Sequence, residues 1–521
     1  MIKNFKWLLL VSLTFVACSK NDEGDKVTEV PVTAGTADFT KYVALGNSLT
    51  AGFSDGALFK KGQEGSYPNI LSQQFAKVGG GEFKTPFCGD DNLGGLLLGG
   101  FPIQSTRLYF NGVAPTNVAG TPKTEITAVL TGPFNNMGVP GAKSFHLLAP
   151  GYGNVAGVMT GAANPYFARF AKSPGSNILD DAAEQDPTFF SLWIGNNDVL
   201  SYAMSGGQGV NQLGNLNPAT YGTNDITDPN VFANVYSSLL DKLVSKGAKG
   251  VVANIPYVNT IPFFTTVPTN PIPALPPSNA TQLNQVFGAI NQIAAAANLP
   301  SRFITLTTDD GNPKTIEVTN PLLIFDESLQ SLSNQIAAVL TPVVGGQTAT
   351  FLGNLYGRAR HAKKAKDGSF EDYVLLTTRG ILTPPNNIQA GVPSPFNVQG
   401  ISYPLQDGRV LTNAEVTELK TATDAYNATI KGLAEAKGLA FVDANSILNK
   451  VYKTGIRFGN FQLTSTYVTG GAFSLDGIHP SSRGYAFIAN EFMKAINTTY
   501  GSTFRPVDLS LYPIQFPATI N

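Results

Sequence analysis

The sequence predicts an α/β fold around a parallel sheet, and three observations lead there. Residues 39–45, 189–194, 250–255 and 439–443 are short apolar runs. Runs of this length suit strands buried on both faces of a sheet. Two of them follow long amphipathic stretches that open on helix-capping residues and close on glycine. A capped helix feeding a buried strand is the βαβ rhythm of parallel-sheet proteins.

Each element has a local reason. Asp228-Pro229 supplies an N-cap and a first-turn proline. Phe232, Val235, Tyr236, Leu239 and Leu243 then recur every three or four residues, and Gly247 ends the helix. Thr412 and Glu415 form a capping box. Val416, Leu419, Ala422, Tyr426, Ile430 and Leu433 follow on one stripe, closed by Gly438. Between these units the texture changes. Residues 52–134 are glycine-rich and weakly periodic. Residues 262–277 hold six prolines, and 279–297 read as a helix. Residues 303–399 read as short strands with a helical patch at 327–340 and a basic run at 358–366 on a solvated face. Gln406-Asp407-Gly408-Arg409 reads as a hairpin turn. Residues 52–134 and 262–400 are expected to be insertions on a single core spanning 39–500, with 501–521 as a C-terminal extension.

Lys and Arg total 35 against 36 Asp and Glu, so nothing favours a nucleic-acid partner. No obligate protein partner is evident. The N-terminus has the form of a targeting segment. Lys3 and Lys6 precede an apolar run at 7–17 that is too short to span a bilayer. Phe15-Val16-Ala17-Cys18 resembles a bacterial lipoprotein cleavage site, with phenylalanine where leucine is usual. The resemblance implies a signal peptide at 1–17 and lipid on Cys18. The acidic residues that follow resemble the surface-export signals of Bacteroidota lipoproteins. Residues 18–38 are then a flexible tether, and the protein sits in the cell envelope, held to the outer membrane by lipid and exposed at the surface. With Cys18 lipidated, Cys88 has no disulfide partner, and no motif around it activates its thiol. No CxxC or HxxxH cluster points to a metal, and no cofactor is implied.

Three islands carry chemistry: Gly46-Asn47-Ser48-Leu49, Gly195-Asn196-Asn197-Asp198 and Asp476-Gly477-Ile478-His479-Pro480. In order they offer a nucleophile, an amide donor and an acid/base pair, the parts of an acyl-transfer site. Of the histidines, His146, His361 and His479, only His479 has an aspartate three residues ahead in a glycine-containing turn. His146 and His361 read as surface or structural residues.

The islands, with Asn136-Met137-Gly138-Val139-Pro140-Gly141, resemble the blocks of SGNH, or GDSL-type, serine hydrolases. Asn47 stands where that family usually has aspartate. The resemblance implies a three-layer α/β/α, flavodoxin-like sandwich and hydrolysis of carboxylic esters. It implies Ser48 as nucleophile, His479 as base and Asp476 as its partner. The N–H groups of Ser48 and Gly141 and the Asn197 amide would form the oxyanion hole. The implied substrates are lipid or other acyl esters, or acetylated carbohydrates. The rival reading is a glycan-binding surface lipoprotein without catalysis, which needs no Ser48/His479 pair.

Elementary chemistry assigns the same roles. Ser48 follows a buried strand, at the carboxyl edge where open α/β sheets place their sites. A serine hydroxyl needs a base, and the base needs an orienting acid. Asp198 is expected to cap the segment that follows it, and Phe263-Phe264 to be core. Both insertions are expected to overhang Ser48 and shape its pocket, with residues 93–101 as a candidate wall.

Overall fold

The structure is a computed structural model and describes residues 31–89, 91–309, 311, 319–364 and 371–520. At its centre is a five-stranded, all-parallel sheet: β1 (Tyr42–Gly46), β2 (Asn136–Gly138), β3 (Phe189–Trp193), β4 (Lys249–Ala253) and β5 (Ala440–Val442). Their spatial order is 2-1-3-4-5. β1 lies between β2 and β3, and its register sets Gly46 level with Gly138 on one side and Trp193 on the other. The carboxyl ends of these three strands therefore form one edge.

Helices cover both faces. On one lie α2 (Tyr67–Phe75) and α11 (Ser482–Tyr500). On the other lie α3 (Ile178–Ala183), α5 (Pro229–Val244) and α9 (Asn413–Ala436). The expected caps are in place. Asp228 Oδ1 accepts from the N–H groups of Asn230 and Val231, and Thr412 N–H donates to Glu415 Oε2. The predicted stripe of α5 is the buried one, with Phe232, Tyr236 and Leu239 fully inside. Each such side chain contributes roughly 1.5–3 kcal/mol of burial.

Four strands fall within the apolar runs to within a residue or two. The fifth, β2, holds only Asn136, Met137 and Gly138 and has no such run. The expected hairpin at 406–409 is a single turn of 3₁₀ helix instead, followed by Val410–Leu411 paired with the distant Tyr373–Val374.

The second insertion has a hydrophobic core of its own, running from Val267 to Val410. It is built on α6 (Pro277–Ala296), α7 (Ser333–Val344) and α8 (Gly346–Tyr356). The helical patch expected at 327–340 is thus shifted, and α8 follows it after one glycine. The basic run is solvated at Arg358, Lys363 and Lys364, as expected, but not at Arg360. Arg360 is buried, with Nε 2.5 Å from Asp326 Oδ2 and Nη1 2.6 Å from Asp372 Oδ2. His361 beside it is also buried.

The C-terminal extension folds back over the first insertion. Arg107, almost fully buried, donates to the carbonyls of Pro517 and Ala518 at 2.6 and 2.9 Å. The signal peptide, Cys18 and the tether to residue 30 lie outside the described residues. From residue 31 the expected tether is docked, not free. Thr36 N–H donates to Tyr500 O, and Ser502 Oγ donates to Ala34 O. Among the described residues no helix is long and apolar enough to cross a membrane.

Candidate active site

Ser48 is positioned by a strand that ends in a glycine. At Gly46 a Cβ would lie 2.1 Å from Thr50 Oγ1 and 2.4 Å from Trp193 O, so only glycine lets the chain turn there. Asn47 then caps the single helical turn α1 (Ser48–Ala51), its Oδ1 accepting from Leu49 N–H. Asn47 Nδ2 also donates to Asn196 Oδ1 at 3.3 Å, joining the first island to the second.

The acid/base pair comes from a tight loop before α11. Asp476 Oδ1 accepts from the N–H groups of Ile478 and His479, both at 2.8 Å, which folds the two side chains to one side. Gly477, with φ +74°, makes the turn possible. His479 Nδ1 lies 2.8 Å from Asp476 Oδ2, and Nε2 lies 2.9 Å from Ser48 Oγ. The carboxylate fixes the proton on Nδ1, which leaves the Nε2 lone pair facing the serine hydroxyl. Burial alone would push the Asp476 carboxyl up. The His479 ring and the donated N–H bonds outweigh it and hold the group below the usual carboxylate range.

The first insertion braces this loop, a role not read from the sequence. Gly56 N–H donates to Asp476 Oδ2 at 3.0 Å, and the Phe53 ring packs 4.6 Å from the His479 ring. Asp55, only 1% exposed, accepts from Leu475 N–H and donates its own N–H to Ser474 Oγ. Ser474 Oγ in turn donates to Asp476 Oδ1. Burial, with the Asp476 charge, pushes the Asp55 carboxyl up to about 7 against the pull of Leu475 N–H and Arg107. Ser54-Asp55-Gly56 has turn-forming residue types, but a contact across 420 positions leaves no local signal.

The remaining donors lie at the same edge of the sheet. No acceptor among the described residues takes the N–H of Ser48 or of Gly141. Asn197 begins α4 (Asn197–Met204), and its Nδ2 donates to Ala142 O at 2.9 Å, beside Gly141. Asn164 Nδ2 holds Pro140 O at 2.8 Å. Asp198 does not cap a helix but ties this loop to α4. Its buried carboxylate accepts from Ser144 N–H and Oγ at 2.8 and 2.6 Å, and burial pushes its pKa up. His146 and His361 are both structural. Each Nδ1 accepts a backbone N–H, from Lys143 and Ile304. Burial pushes each imidazole down to about 4, with the Lys143 charge adding to the effect at His146.

A cleft of about 1000 Å³, its open mouth included, begins at Ser48 and His479. Its walls are apolar: Leu200 and Val258, then Ile447, Leu448 and Val451 of α10 (Ala444–Lys453), then Phe487 of α11. The first insertion supplies none of the lining, and the second is represented only at its threshold by Ile261. Leu96 and its neighbours pack internally against Leu58, Cys88 and Ile126, so the expected wall at 93–101 is part of a small separate core. Phe263 and Phe264 are core, as expected, and Phe263 N–H donates to Gly477 O. Cys88 is buried, and burial raises its thiol pKa. The α10 wall was not read from the sequence; the signal that could have marked it is Ala444, Ile447, Leu448 and Val451 at helical spacing.

Comparison with protein-family models, with curated proteins and with solved structures returns no match to this chain. A function has to be argued from the site itself.

Proposed function

We propose that the chain is a serine ester hydrolase of SGNH type that cleaves acyl esters through an acyl-enzyme. One observation carries the reading: the Ser48–His479–Asp476 line, with both links at hydrogen-bond distance, stands at the mouth of a deep apolar cleft. The strand order 2-1-3-4-5, which is the flavodoxin-like order, and the sequence of the four blocks agree with it.

In this reading Ser48 Oγ attacks the ester carbonyl as its proton passes to His479 Nε2. Asp476 stabilises the imidazolium that results. The oxyanion is met by the N–H groups of Ser48 and Gly141, with Asn197 holding the Gly141 loop and offering its second amide hydrogen. Collapse expels the alcohol, which takes the proton from His479. Water then attacks the acyl-enzyme with His479 again as base and releases the acid. The cleft takes the acyl chain, which favours lipid or other acyl esters over acetylated sugars. Lipid on Cys18 would hold the enzyme at a cell-envelope surface where such esters occur.

The test is a series of chromogenic esters from acetate to palmitate, run with and without a fluorophosphonate probe. The expected result is labelling of Ser48 and a preference for medium or longer chains. Leu448→Trp should shift that preference to shorter chains. Absence of labelling in folded protein overturns the hydrolase reading in favour of a binding protein. Labelling with activity on acetyl esters alone overturns the acyl-chain assignment.

A further inference from the structure

We propose that the protein binds a calcium ion between the second insertion and α9, at Glu327, Asp407 and Glu415. One carboxylate oxygen from each residue lies within 4.8 Å of the other two. Calcium takes six to eight oxygen ligands at about 2.3–2.6 Å, so its ligands stand up to about 5 Å apart. The donors are all oxygen, which selects a hard cation over zinc or copper.

A cluster of acids is common on protein surfaces, but this one has a feature that a solvated cluster lacks. Glu415 is 6% exposed, and its Oε1 has no hydrogen-bond partner, while Oε2 is taken by Thr412 N–H. Orphaned buried carboxylate oxygens are rare because each forfeits its hydration. The loop over it closes on that oxygen with backbone alone. At Gly207, where φ is +83°, a Cβ would stand 1.9 Å from Glu415 Oε1. None of the three carboxylates forms an ion pair with lysine or arginine among the described residues. Three carboxyl groups converge on one point, and a divalent cation there would supply the positive charge that none of them carries.

The location gives the site a purpose. Glu327 and Asp407 lie in the stretch from Val267 to Val410 that carries the second core, and Glu415 belongs to the first turn of α9 in the main core. A cation there would fasten the insertion to the core by charge. The residues lie 80 and 8 positions apart in sequence, so no spacing motif reveals them. A proton shared among the carboxylates is the competing way to satisfy the cluster, since burial pushes Glu415 up to about 8.

The experiment uses the full chain after exhaustive EDTA dialysis, titrated with terbium under excitation of aromatic residues. Tyr202, whose hydroxyl feels the charges of Glu415 and Glu327, is a ready sensitiser. The expected result is saturable terbium emission that calcium displaces, together with a calcium-dependent rise in melting temperature. Glu327→Gln and Asp407→Asn, both on solvent-accessible side chains, should each weaken binding about tenfold or more and still fold. Saturable emission that both variants leave unchanged would place the ion elsewhere and overturn the assignment. Absence of emission, or a melting temperature indifferent to calcium, would leave the proton as the occupant and overturn it as well.

Discussion

The two insertions leave the same edge of the sheet and serve the protein differently. The first, at 52–134, has only a small core and is held by hydrogen bonds to the loop that carries Asp476 and His479. The second buries a full hydrophobic cluster of its own and meets the main core along a seam that includes Tyr373 and Leu375. An insertion too small to stabilise itself is drawn into the site. One large enough to fold around its own core meets the acid/base loop at Gly477, through Phe263 N–H on Gly477 O and the Leu376 side chain. The walls of the cleft come largely from core elements, α10 and α11 among them.

The largest effect sets the scale for this contrast. Ser48→Ala and His479→Ala should each lower ester hydrolysis by about 1,000-fold or more, because triad members act as a unit. Melting temperature should hold, since neither side chain fills the core. Full activity in Ser48→Ala would remove the site from the comparison altogether.

Arg360→Met tests the independence of the second insertion. It leaves Asp326 and Asp372 buried without their partner, and breaking such a pair typically costs about 3–5 kcal/mol. The expected outcome is early proteolysis within the second insertion, with kcat/KM per folded molecule unchanged. Activity that falls in step with proteolysis would show the two insertions to be equally coupled to the site.

The same contrast explains what the sequence could tell. Four strands were legible because each is a continuous apolar run buried on both faces. β2 was not, because a three-residue strand with Asn136 in it has no run to see. It is held by pairing with β1 and by Asn136 Nδ2 on Thr50 O. The triad was legible because the chain has only three histidines and each island lies at a turn. The supporting contacts were not, since Asp55 and Asp476 meet only once the fold is complete. Arg360 misled for the same reason. Charge along the chain cannot reveal that Asp326 and Asp372 converge on Arg360 from either side.

Ser474→Ala probes the brace that the first insertion provides. It removes the bond to Asp476 Oδ1 and the acceptor for Asp55 N–H, while Asp476 keeps its contact with His479. A loss of roughly tenfold in kcat with little change in KM is expected from a loosened base. An equivalent loss from substitutions deep in the second insertion would erase the difference between the two.

The smallest effect is the most specific to the first insertion, and it concerns pH. The Asp55 carboxyl is raised from an ordinary 3.8 to about 7, chiefly by burial and also by the nearby Asp476 charge. Between those values the folded chain keeps a proton that the unfolded chain has released. The stability contributed by neutral Asp55 is therefore complete below about pH 4. It is lost as pH rises toward 7 and does not change further above that. Asp55→Asn keeps an oxygen for Leu475 N–H and cannot ionise, so it should lack this decline. The difference in melting temperature between Asp55→Asn and wild type should move in favour of the variant from pH 4.5 to pH 7, then level off. A difference that stays constant across that range would mean that Asp55 is ionised throughout, and that the first insertion brings a second full negative charge against the triad.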